Sequence, residues 1–153
     1  MAGTVAGVPA PAIADNVFIN LITSAVTLAP TATDYARDYV EVTGAAGIQV
    51  KIKTNNPIGM SVLVRCSDPS PPIALADMLV RTTSPPGSGG SSMNSYTPIT
   101  ATDQFLWSTG SSLGPFFIVN TDVRIRNLMN YDDSPLAGST GYTNTLTFTV
   151  VGQ

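Results

Sequence analysis

The side chains that most often move protons or hold transition metals are scarce in this chain, whose 153 residues include ten Asp or Glu, one cysteine and no histidine. Without an imidazole, neither a Ser-His-Asp nor a Cys-His arrangement can activate a nucleophile, and the commonest protein ligand for zinc or copper is missing. Cys66 falls in phase with Met60, Val62 and Val64, which reads as a small apolar core residue rather than a reactive thiol. A single cysteine also leaves no internal disulfide framework.

Asp132 and Asp133, beside Asn130 and Ser134, carry oxygens that suit calcium, but Asp, Asn, Ser and Pro are equally what a solvated turn needs, and a turn is the expectation. Asp34 and Asp38 have helical spacing. Tyr35 and Tyr39 share it, and the region is read as the opening of a strand. Gly87 to Gly90 lack the following Lys-Ser or Lys-Thr of a phosphate cradle. Trp107, with Phe105 on the same strand face, is assigned to the core rather than to a sugar-stacking platform. The expectation is a protein with no catalytic residue, cofactor, metal or small-molecule substrate.

What remains is a scaffold, and its composition says what kind. Hydrophobic residues make up 43% of the chain and charged ones only 11%, against about 25% charged in an ordinary soluble domain. The surface must then be dressed in Ser, Thr, Asn and Gly, which gives little colloidal repulsion and suits a subunit held inside an assembly. The net charge is −3 and the seven Lys and Arg are spread singly, so no stripe can neutralise a nucleic-acid backbone. No apolar run reaches the ~18 residues of a transmembrane helix. The first thirty residues contain Asp15, Asn16, Pro9 and Pro11 and no basic n-region, so a signal peptide is not expected within them.

The elements follow from periodicity. Residues 1–16, built from Ala, Gly, Val, Pro and Thr up to Ala14, read as an extended arm, and residues 17–153 as one β-domain. Val17 to Leu28 reads as one bent strand or two, ending at Pro30. Tyr39 to Thr43 is a short strand and Gly44 to Gly47 a turn. Ile48, Val50 and Ile52 alternate with Gln49, Lys51 and Lys53, and Met60 to Cys66 alternates likewise after the Asn55, Asn56, Pro57, Gly59 turn, which predicts a hairpin. Further strands are expected at Met78 to Thr82, Gln104 to Trp107, Phe116 to Val119 and Asp122 to Arg126, with a long Ser, Pro and Gly loop over Ser84 to Ser92. The clearest alternation closes the chain, with Tyr142, Leu146, Phe148 and Val150 on one side and Thr143, Thr145, Thr147 and Thr149 on the other. Strands of this length with no amphipathic helix predict an all-β, two-sheet immunoglobulin-like or jelly-roll-like sandwich with an extended N-terminal arm.

Three stretches resemble secreted bacterial immunoglobulin-like sandwiches of the spore-coat and fimbrial subunit type: Ile48 to Asn56, Thr121 to Arg126, and Gly141-Tyr142-Thr143-Asn144-Thr145-Leu146-Thr147-Phe148-Thr149-Val150. The resemblance implies a closing strand that completes one sheet. It also implies a structural subunit of an extracellular filament, of pilus or fimbria type, or of a cell-surface layer, built by arm or strand exchange (donor-strand complementation) between copies of itself. Val5, Val8 and Ile13 of the arm, with Val17, Ile19 and Leu21, are the candidate subunit interface. A virion coat, tail or capsid-decoration protein lashed to its shell by the same arm is the alternative expectation, and a carbohydrate-binding or adhesin module the third.

Overall fold

The computed structural model describes residues 16–23, 25–82, 90–131 and 142–153. Their nine strands form two antiparallel sheets around one core, the predicted all-β sandwich. The first sheet is ordered β1 (Val17–Leu21), β3 (Ile48–Thr54), β8 (Leu113–Arg126), β5 (Met78–Thr82) and β6 (Thr97–Pro98), and β2 (Tyr39–Val42) also pairs with β8. The second is ordered β7 (Gln104–Ser108), β4 (Met60–Cys66) and β9 (Leu146–Gly152).

Strand β8 is the spine. Its 14 residues join what the sequence divides at Asn120 and Thr121, and the two halves serve different partners. Leu113 to Thr121 pairs with β3, whereas Val123 to Arg126 pairs with β2, which lies in line with β3 after a 3-10 turn at Gly44–Ala46. Along β8, Val119, Thr121, Val123 and Ile125 point inward and are buried, meeting Val50, Ile52, Val62, Val64, Val80, Leu106 and Trp107 in the core. One end of the sandwich, here the upper, is marked by Thr54, Leu113, Met60 and Gly152; the lower end by Ile125, Met78, Cys66 and Leu146.

Several expectations are corrected. The β3 and β4 strands do not form a hairpin: β3 pairs with β1 and β8, β4 with β7 and β9. Both strands bury alternate side chains, so the turn between them arches from one sheet to the other instead of continuing one. Asn56 holds that arch by accepting from the Ile58 N–H at 3.0 Å and donating to the Gln153 carbonyl at 2.9 Å. Gly59, at φ +93°, completes it, and a Cβ there would stand 2.0 Å from the Thr109 carbonyl oxygen.

The segment after Pro30 opens a helix, not a strand. Thr31 caps α1 (Ala32–Arg37), and the Asp34 side chain accepts in return from the Thr31 N–H, a reciprocal capping box that Thr-x-x-Asp spells out in the sequence. Strand β1 stops at Leu21, and Val26 and Leu28 lie in coil rather than in a continued strand. Phe105 does not share a face with Trp107: a register shift where β4 meets β7 turns both Leu106 and Trp107 inward and leaves Phe105 exposed. Within the expected loop, Ser92 bridges to Trp107.

Candidate interaction surface

One flank of the sandwich ends in two open strand edges. Asn55 N–H donates to the Asn16 carbonyl and Ile22 N–H to the Gln49 carbonyl, so the even-numbered residues of β1 bond to β3. By the alternation of an antiparallel ladder, the N–H and C=O groups of Val17, Ile19 and Leu21 then point outward. The same reasoning holds for β9, where Ser67 N–H bonds to the Thr145 carbonyl and Gln153 N–H to the Gly59 carbonyl. The backbone of Leu146, Phe148 and Val150 is thus directed away from β4. Among the described residues no strand covers either edge, and β1 and β9 approach each other across the sandwich.

Between these edges the core is incompletely sealed. On β4 the inward residues Met60, Val62, Val64 and Cys66 are buried, but the inward residues of β9, Leu146, Phe148 and Val150, are all half-buried. Val17 and Ile19 are half-buried against the same core and Leu21 is 42% exposed. Val17 and Ile19 thus direct their side chains into their own domain. Their backbone edge is what stays open. Val5, Val8 and Ile13 lie outside the described residues.

Two hollows adjoin this seam at the lower end. The larger, of about 380 Å³, is lined by Val26, Leu28, Val40, Ile73, Met78 and Leu128 among others, with Tyr131 and Tyr142 at its wall. The smaller, of about 230 Å³, lies between Leu21, Ile48, Leu146 and Phe148. Val26, Thr143 and Asn144 line both. Asn144 fixes its wall by accepting from the Ile73 N–H at 3.1 Å and donating to the Ile73 carbonyl at 2.9 Å.

The outer face of the first sheet carries opposite chemistry in its two halves. Around the lower half of β8, Arg37 lies over the Tyr39 ring, Arg124 over Tyr39 and Tyr96, and Arg81 over Tyr96, a ladder of guanidinium and phenol groups. Carboxylates lock it: Glu41 accepts from Arg124 Nη2 at 2.7 Å and from the Tyr96 hydroxyl at 2.8 Å, and the fully buried Asp122 accepts from Arg81 Nε at 2.9 Å and from the Gly44 N–H at 2.7 Å. Burial pushes the Glu41 carboxyl up, but the bonds from Arg124 and Tyr96 outweigh it and hold the group below the usual carboxylate range. Burial, then the bond to Glu41, pushes the Tyr96 hydroxyl up to about 12. Around the upper half, Phe18 meets Phe116 edge to face at 5.1 Å, with Lys51 and Lys53 over the Phe116 ring.

The remaining chemical candidates are structural where they are described. Cys66 is 2% exposed, within the apolar row. Trp107 is fully buried and cannot stack on a sugar. Asp34 is spent on the helix cap and Arg37, and Asp38 occupies the left-handed C-cap, where it accepts from the Leu128 N–H. Asp132, Asp133 and Gly87 lie outside the described residues, and among those described no three Cys, Asp or Glu side chains gather around a point. No described helix is long and apolar enough to cross a membrane.

Sequence reasoning missed the ladder. Its signal was present in Tyr39-x-Glu41 and in Asp122-x-Arg124-x-Arg126, where charge repeats at period two on strands whose other face is apolar. The hollows had no such signal, since they arise from how coil residues 25–30 and 142–145 meet the sheet ends. No family model, curated protein or solved structure matches this chain.

Proposed function

We propose that this protein is a non-enzymatic structural subunit that assembles with copies of itself into an extracellular or cell-surface filament, through the N-terminal arm of one copy adding as a strand to another. The observation that carries the reading is the flank of β1 and β9: two strand edges that no other described strand covers, separated by a row of half-buried apolar side chains. An exposed edge is a template for pairing, and a protein with no further use for it blunts it with charge, proline or a bulge. β1 and β9 carry none of these. Added backbone would find hydrogen bonds along the edge, while alternate apolar side chains would enter the row between the sheets.

The arm has the matching properties. Its residues 1–14 carry Val5, Val8 and Ile13 and no charged side chain, so they gain from burial and lose little by leaving water. Deleting Met1 to Ala14 tests the reading. Among the described residues every core residue lies at Val17 or later, so circular dichroism should retain the β spectrum, while sedimentation and negative-stain microscopy should show loss of assembly. Assembly of the truncated chain as complete as that of the intact one would refute strand exchange.

A further inference from the structure

The outer face of the first sheet places cations over aromatic rings in both of its halves, and supplies them with carboxylates in only one. In the lower half each guanidinium that lies over a tyrosine is also held by an acid: Arg37 by Asp34, Arg81 by Asp122 and Arg124 by Glu41. Arg65 and Arg126 have Asp103 and Asp77, so all five arginines stand in ion pairs. The two lysines of the chain differ. Lys51 and Lys53 lie over the Phe116 ring, 4.5 and 5.3 Å from its centre, and neither pairs with a described carboxylate. We infer that the missing acids come from outside: the upper half of this face is a docking surface for an acidic protein segment that carries apolar side chains beside its carboxylates.

The strands set out this surface in rows. Val50, Ile52 and Thr54 of β3 are buried, so Lys51 and Lys53 between them point outward. The flanking strands put Phe18 of β1 opposite Lys53 and Ile118 of β8 opposite Lys51, and Phe116 packs edge to face on Phe18. Phe18, Phe116 and Ile118 are 45%, 47% and 49% exposed. The result is a pair of ammonium groups between two apolar rails. Because both ammoniums lie over one ring, they repel each other within a screening length of about 10 Å at 0.1 M salt, and an anion laid across them relieves that repulsion. Alternate residues of a strand are roughly 6.6 Å apart, which is also the spacing at which an extended partner presents alternate carboxylates.

Charge and hydrogen bonding select this occupant. The same face of a second copy would set lysines against lysines, which disfavours a symmetric contact. A sugar needs neutral donors and acceptors for its hydroxyls, but the Gln49 amide is spent on Asn120 Oδ1 at 3.0 Å. A membrane or nucleic acid presents a broad field of negative charge, and two lysines are few against a chain of net charge −3. An acidic segment needs only a local pair of cations and something apolar to cover. This face is also distinct from the strand edges of β1 and β9, so its occupation does not depend on strand exchange.

Fluorescence anisotropy of a labelled copolymer of glutamate and tyrosine, titrated with the intact chain, tests this. The copolymer should bind, and binding should weaken as salt rises. Lys51→Gln together with Lys53→Gln should lower the affinity about tenfold, whereas the same two positions changed to Arg should keep it, each variant being checked for its β spectrum by circular dichroism. Arg65→Gln, which removes a cation from β4 in the other sheet, should leave the affinity unchanged. Polyglutamate, with the charge but not the rings, should bind more weakly; equal binding would overturn the part given to Phe18, Phe116 and Ile118. Failure of the intact chain to bind the copolymer would overturn the assignment. So would a loss on Arg65→Gln equal to that of the lysine pair, or tighter binding to phosphatidylserine vesicles than to the copolymer, the last in favour of a membrane.

Discussion

The two flanks of the sandwich are built from the same kinds of residue and finished differently. On the side of β5, β7 and the lower half of β8, the inward rows are buried and the outward row is tied by the Arg and Tyr ladder. On the side of β1 and β9, inward residues of the same types are half-buried and the strand edges carry no described partner. Composition does not separate them. The difference is in what lies next to the last strand: on one side a further strand and interlocking charges, on the other an unfilled row. A sandwich can therefore be complete as a folding unit and incomplete as a surface.

The comparison breaks most visibly if the sealed flank is emptied. Leu106→Ala removes a fully buried side chain from the middle of the core, and should cost about 2–5 kcal/mol in urea unfolding of the arm-deleted domain. A loss under 1 kcal/mol would mean that this flank is as loosely packed as the other. The ladder should matter less. Glu41→Gln leaves Arg124 without its carboxylate, and should lower stability by about 1–2 kcal/mol, with both partners only about a quarter exposed.

The pH dependence of that same cluster sharpens the contrast. The Tyr96 hydroxyl ionises higher in the folded chain than in the unfolded one, so its contribution is complete below about pH 10 and is lost as pH climbs toward the folded value of about 12. Glu41 works in the opposite sense: its folded value is depressed, so its contribution holds above the usual carboxylate range and is lost as pH falls through it. Absorbance titration of tyrosinate, with Tyr96→Phe as the reference, checks the alkaline arm. A Tyr96 hydroxyl that titrates with ordinary tyrosines would place the ladder in free solvent.

The smallest expected change in stability falls on the open flank. Leu21→Ser alters a side chain that is 42% exposed, so the isolated domain should change by no more than about 0.5 kcal/mol. Assembly of the intact chain should nevertheless weaken, because Leu21 lies on the β1 edge that strand exchange would use. A variant that assembles unchanged would separate the β1 edge from the contact.

Much of this fold was legible in the sequence because alternation survives wherever one sheet face is wet. Ile48 to Thr54, Met60 to Cys66 and Leu146 to Val150 are strands for the reason that their residues announce. Alternation does not say which strand pairs with which, and the turn residues at Asn56 and Gly59 suit a hairpin and an arch between sheets alike. Thr31 and Asp34 spell a capping box, but Tyr35 and Tyr39 just after it suit a strand equally well. The open edges could not be read at all. An edge is defined by the absence of a neighbour, which no local pattern records, and the hollows depend on coil segments that meet only in the folded chain.

The pairing of β1 with β3 has a mechanical consequence. Tension applied to the chain at Asn16 would pull along β1, parallel to the strand and across its five-residue register with β3. In that direction the interstrand bonds are loaded together in shear, instead of being peeled one at a time from an end. The load would then pass from β3 to β8, a single 14-residue strand that reaches from Leu113 at the upper end to Arg126 at the lower. Such a domain would resist stretching along β1 far better than a sideways tug on the same strand.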